Sequence, residues 1–128
     1  MSDSQTPNSE QRVLQKALTS RIIDEYFSHS EGWLRAILRM CIFSMAQLDG
    51  YPALIIECPN QAVAKRLSRK TYSLQQVLPR LTSRYPAGDR VLICYQEVNQ
   101  SGWRCFDTNT NTWKSWEYLQ TPTASADN

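Results

Sequence analysis

Residues 54–81, LIIECPNQAVAKRLSRKTYSLQQVLPRL, pass from an apolar strand through a Pro-Asn corner into a basic helix, and they hold no residue arrangement suited to catalysis. Leu54, Ile55 and Ile56 form a short apolar run that fits a strand. Pro59 has no N–H to give and ends the ladder, and Asn60 is a good N-cap for the helix that follows. Val63, Leu67, Leu74, Val77, Leu78 and Leu81 recur at spacings near three, four and seven, so they share a face that packs on a core. Lys65, Arg66, Arg69 and Lys70 project elsewhere. Pro79 lies inside the helical pattern and should kink it or divide it in two. The segment builds a binding surface rather than an active site.

Leu54, Ile56, Pro59, Asn60, Val63, Leu67, Arg69, Lys70, Tyr72 and Leu78 together resemble a block in the amino-terminal domain of the bacterial replication initiator DnaA. The resemblance is strongest over residues 54–81 and extends more weakly over residues 10–97. It implies a KH-like α+β fold in the order helix, helix, β-hairpin, helix, strand. It also implies a domain that recruits partners, including the replicative helicase and regulators, that helps the initiator self-associate, and for which weak single-strand binding has been proposed. The recruiting face would then be the surface of the first two helices, with Glu25, Tyr26, Glu31 and Trp33 as exposed contact residues near their corner.

A chain of 128 residues fits one domain and is too small for two independent cores. Its 14 basic and 12 acidic residues give a formal charge of +2, far from the balance of a protein that wraps DNA, so nucleic-acid binding would be local and modest. A hydrophobic content of 41% with 20% charged residues suits a globular domain rather than a disordered chain. No apolar run approaches the roughly 20 residues that span a bilayer, and the polar residues 1–9 do not read as a signal peptide. The expected location is cytoplasmic, with no membrane partner.

Cys41, Cys58, Cys94 and Cys105 are widely separated and accompanied by a single histidine, which gives no zinc signal. Each lies in an apolar or strand-like context and is expected to be a buried, reduced thiol acting as a small hydrophobe. A disulfide framework is not expected.

Residues 1–8 and 120–128 are polar tails with little to bury, leaving 9–119 as the single domain. Over residues 9–27, Val13, Leu14, Ala17, Leu18, Ile22, Ile23, Tyr26 and Phe27 trace a helical stripe, with Asn8 or Ser9 as cap. Residues 28–32 interrupt it, and Ser30 is the expected cap of a shorter helix that turns Trp33, Leu34, Ile37 and Leu38 inward. Residues 39–48 fit a strand or a continued helix. Asp49 and Gly50, followed by Tyr51 and Pro52, favour a hairpin over residues 40–57. Tyr85, Pro86, Ala87, Gly88 and Asp89 form a breaker before a strand over 90–98. Turns at 99–102 and 108–111 then bound strands at 103–107 and 112–119, an added hairpin that the family pattern lacks. It carries Trp103, Phe106, Trp113, Trp116 and Tyr118.

His29 stands alone in a polar loop without a nucleophile or carboxylate arrangement, and no phosphate-cradling glycine motif is present. The chain is not expected to be an enzyme, and nothing in it calls for a cofactor or a metal. Gly32, Gly50, Gly88 and Gly102 are not paired as the G-x-x-G of a KH domain, which disfavours KH-type RNA reading. Lys65, Arg66, Arg69 and Lys70 fall on one side of a helix, where their charges add. A solvated surface, an acidic protein partner and a nucleic acid all stand open for that face. Trp113 and Trp116 lie on opposite faces of a strand, so at least one packs on the core while the other is open to stacking or docking, with Arg104 and Lys114 as nearby cations.

The expected function is a non-enzymatic adaptor associated with DNA replication or another nucleic-acid process. It would dock on a larger protein, such as the replicative helicase or another replication factor. The alternative is direct binding of single-stranded DNA or RNA through Lys65, Arg66, Arg69 and Lys70 with Trp113 or Trp116. A subunit or inhibitor of an enzyme is the third class.

Overall fold

Period-two alternation places Phe43, Ile56, Ile93, Phe106 and Trp113 side by side in one row across five strands. This row is the floor of the main core. The computed structural model describes residues 9–48, 50–77, 90–97 and 102–115. They form α1 (Ser9–Tyr26), α2 (Gly32–Leu38), β1 (Ile42–Leu48), β2 (Tyr51–Glu57), α3 (Gln61–Ser68), α4 (Thr71–Gln75), β3 (Arg90–Gln96), β4 (Trp103–Asp107) and β5 (Thr112–Ser115). The strands lie in sequence order in one sheet, parallel only between β2 and β3 and antiparallel elsewhere. The class is therefore α+β with a mixed sheet.

Ile22 and Ile23 from α1, Phe27 just after it, Leu34 and Leu38 from α2, Val63, Ala64 and Leu67 from α3, and Leu74 from α4 close over that row as one buried cluster. The opposite face of the sheet carries a smaller cluster, Ala53, Ile55, Leu92, Cys94 and Cys105. At about 25 cal/mol for each Å² of apolar surface removed from water, the larger cluster is the main stabilising term.

The hairpin expected over residues 40–57 is present, with strand rather than helix at 42–48. Gly50 at φ +83 makes its turn, a conformation open to glycine at little cost. The added hairpin is present as β4 and β5, with Asn111 at φ 57 in its turn and Asn111 N–H donating to the Asp107 carbonyl at 2.7 Å.

Among the described residues, the fold departs from the sequence expectations at the cap of α2, along α1 and in the basic helix. Ser30 is not the cap of α2: Glu31 occupies the N-cap position without a side-chain bond, while the Ser30 carbonyl accepts from the Arg35 guanidinium. The apolar stripe of α1 is buried only in its second half, because Val13, Leu14 and Leu18 are 66%, 68% and 38% exposed. The reason is that α1 is pinned to β1, an edge strand of the sheet, through a different set of residues. Buried Thr19 accepts the Phe43 N–H at 2.8 Å, and Lys16 donates to the Arg39 and Cys41 carbonyls at 3.1 and 3.3 Å. An edge N–H that would otherwise be buried without a partner is satisfied in this way.

The third departure is in the basic helix, which does not run unbroken to the region of Pro79. It ends at Ser68 and restarts at Thr71. Ser68 donates its hydroxyl to the Lys65 carbonyl at 2.7 Å, and Thr71 donates to the Ser68 carbonyl at 3.0 Å. The Lys70 N–H reaches back only three residues, to Leu67 at 2.8 Å. Such hydroxyl bonds compete with the helical ladder, and they divide it well before the proline. Pro79, Leu78, Leu81, the breaker at 85–89, the last residue of the 90–98 strand, most of the 99–102 turn, Trp116, Tyr118 and both tails lie outside the described residues.

Candidate docking surface

Asn60 sets the direction of α3. Its side-chain oxygen accepts the Val63 N–H at 2.9 Å, as an N-cap should. Val63, Ala64 and Leu67 then point into the core, which turns Lys65 and Arg66 outward in the last helical turn, where the helix dipole favours cations. The break at Arg69 and Lys70 re-aims the following residues.

On the neighbouring helix, Leu34 and Leu38 are buried and Trp33 is half-buried against the core. The Arg66 guanidinium lies over the Trp33 ring at 4.6 Å from its centroid, and the Lys70 ammonium lies over the same ring at 5.4 Å. Lys70 also pairs with Glu31 at 3.2 Å. Each contact is modest, about 0.5–1 kcal/mol for a cation over an exposed ring and less than about 1 kcal/mol for a surface ion pair. Their value is geometric, because they fix two cations of α3 and its turn against α2.

Two groups of residues that the sequence offered as separate sites therefore meet. Glu31 and Trp33, read as protein-contact residues, touch Arg66 and Lys70, read as a nucleic-acid or acidic-partner face. The basic cluster is not a single charged side of one helix. Arg66 and Lys70 are stacked on tryptophan, while Lys65 and Arg69 are exposed. Tyr72, 75% exposed just past the break, adds an aromatic ring that the sequence reading did not count as a contact residue. Its position is a consequence of the break, which no local pattern announced. Glu25 is exposed and paired with Arg21 at 3.8 Å, whereas Tyr26 is half-buried against the core rather than displayed.

The carboxyl-terminal hairpin is arranged differently. Trp113 meets Tyr95 edge to face, with centroids 5.7 Å apart, and Phe106 at 5.2 Å. It covers the end of the core, as aromatic pairs of this geometry do. Trp103 packs on the smaller cluster. Lys114 is drawn to buried Asp107 at 3.2 Å, and Arg90 approaches the same carboxylate at 3.5 Å. Asp107 also accepts the Asn109 N–H at 2.9 Å, so it organises the turn between the two strands.

His29 is exposed in the turn after α1. All four cysteines are buried. A hydrogen bond with Cys41 and burial push the Cys58 thiol far up, and burial with a hydrogen bond to Cys105 does the same to Cys94. Among the described residues, no group of three or more His, Cys, Asp or Glu is placed to hold a metal ion, and no helix is long and apolar enough to cross a membrane. Compared with known proteins, the chain matches no protein-family model, no curated protein and no solved structure.

Proposed function

We propose that this chain is a non-enzymatic docking module whose contact surface is the corner formed by α2, α3 and the start of α4. The observation that carries this reading is Trp33 held beneath Arg66 and Lys70, beside exposed Lys65, Arg69 and Tyr72. A half-buried tryptophan with stacked cations offers an anchor of defined shape, and the neighbouring cations steer an acidic partner towards it. Such contacts give modest affinity that weakens with salt.

The order helix, helix, hairpin, two short helices, strand differs from the one implied by the DnaA amino-terminal resemblance in its divided third helix, and it otherwise supports the finer reading of a KH-like recruiting domain working in the cytoplasm. The partner would be a larger protein of replication, such as the replicative helicase, or of another nucleic-acid process. A second reading, direct binding of single-stranded DNA or RNA, is favoured by exposed Tyr72 next to Arg69 and disfavoured by Trp113, whose ring is engaged by Tyr95 and Phe106.

Backbone amide shifts recorded during titration with a labelled oligonucleotide separate the two. No shift at millimolar strand supports protein docking. Saturating shifts across α3, Tyr72 and the β4–β5 hairpin would replace docking with nucleic-acid binding.

A further inference from the structure

The chain has four cysteines, and the sheet brings them together as two facing pairs. Ile42 opposes Glu57 at the end of the β1–β2 ladder, so the next opposed residues are Cys41 and Cys58, and their sulfurs are 3.8 Å apart. Cys94 and Cys105 oppose each other directly in the β3–β4 ladder. One pair belongs to the main core and the other to the smaller cluster on the opposite face.

Both pairs occupy the kind of antiparallel position in which the two residues exchange no backbone hydrogen bond. The Phe43 N–H goes to Thr19, the Cys41 carbonyl accepts from Lys16, and the Cys58 N–H donates to the Cys94 carbonyl at 2.7 Å. In the other ladder, Thr108 N–H donates to Val91 opposite it and Glu97 N–H to Gly102, which leaves Cys94 and Cys105 at the alternate, unbonded position. Opposed Cα atoms at such positions are about 4.5 Å apart with side chains closest. That lies at the short end of the roughly 4.4–6.8 Å range that a disulfide spans.

We propose that Cys41 with Cys58 and Cys94 with Cys105 are two oxidation sites that close into cross-strand disulfides within the existing fold when the chain meets a disulfide oxidant such as glutathione disulfide. A cysteine thiolate attacks one sulfur of the oxidant, forms a mixed disulfide and releases one glutathione thiolate. The facing thiolate then attacks the protein sulfur, forms the internal S–S bond and expels the second glutathione thiolate. The two protein thiol protons pass to the two leaving thiolates, so the protein pair loses two electrons and the oxidant gains them.

Burial and the elevated thiol values make attack wait for local opening. Cys41 and Cys58 lie one step beyond the strand ends, whereas Cys94 and Cys105 lie inside their ladder. The first pair therefore closes first. Its bridge would join the exit of α2 to the entry of α3, the stems of the two helices that hold Trp33, Arg66 and Lys70. Closure of either pair does not depend on what docks there.

The test equilibrates the full chain with defined ratios of oxidised and reduced glutathione, quenches with acid, alkylates residual thiols after denaturation, and maps peptides by mass. The expected result is two linked species, Cys41 to Cys58 and then Cys94 to Cys105, reversible by dithiothreitol, with an unchanged circular dichroism spectrum. The Tm should rise by about 10 °C for the first bridge. Cys58→Ala should abolish the first link and leave the second. Scrambled links, glutathione adducts that never resolve, loss of native structure on oxidation, or four thiols still free at the most oxidising ratio would each overturn the proposal. The wild-type map decides it even where the variant fails to fold.

Discussion

Trp33 and Trp113 are both half-buried tryptophans with basic residues close by in the fold, yet their rings do opposite things. Trp113 meets Tyr95 and Phe106, while its sequence neighbour Lys114 turns to the other face of the sheet and to Asp107. Trp33 takes Arg66 and Lys70 over its ring. The difference comes from the elements that carry them. On a strand, the alternation of faces separates the ring of residue 113 from the charge of residue 114. On packed helices, residues from distant segments converge on one ring. The carboxyl-terminal hairpin is accordingly cover for the core, and the α2–α3 corner is display.

The contrast breaks most readily at Asp107, the buried centre of the hairpin turn. Asp107→Ala removes the buried carboxylate that Lys114 and Arg90 approach and the acceptor for Asn109, so chemical denaturation should show a loss of about 3 kcal/mol. Trp113→Ala comes next, at about 2–3 kcal/mol because the ring is half-buried. Binding by the folded fraction should be unchanged, and a selective loss of binding would move Trp113 into the display surface.

Alkaline pH probes the sulfur pairs beneath both regions. Cys58 and Cys94 are raised in the folded chain, so their contribution is complete below the ordinary thiol value of 9.0 and is lost as pH rises beyond it, where only the unfolded thiols ionise. Each such thiol should cost on the order of 1 kcal/mol per pH unit above that value, read as a Tm that falls as pH rises beyond 9.0, by less after both pairs are oxidised.

Asn60→Ala sharpens the display side. Loss of the cap should cost about 1 kcal/mol and loosen the start of α3, seen as faster amide exchange at Val63. The smallest effect is expected for Lys65→Ala with Arg69→Ala, within about 0.5 kcal/mol in stability, since both side chains are exposed. Their effect should appear instead as a reduced salt dependence of partner capture.

Local chemistry made much of this architecture legible. The Asn60 cap, the hairpin around Gly50, the strand at 90–96 and the turn at 108–111 follow from turn residues and alternation, and each is present. The end of α3 was not legible, because Ser68 and Thr71 are ordinary helix residues until their hydroxyls bond back to the chain. Nor was the exposure of Val13 and Leu14, which depends on Thr19 and Lys16 fastening α1 to the β1 edge. The candidate surface was half legible: its residues could be named, but Trp33 and Arg66 are far apart in the chain and nothing local announces their contact. The same holds for the thiol pairs, since wide spacing in sequence concealed adjacency in register.

The most direct test of the docking reading uses the chain as bait, wild-type beside Arg66→Glu with Arg69→Glu, with captured proteins quantified by mass spectrometry and both baits checked for Tm. The expected result is a pair of folded baits with Tm values within a few degrees, of which only the wild-type retains a partner, released by raised salt. An identical set of partners on both folded baits would contradict it and leave the cations over Trp33 as surface packing alone.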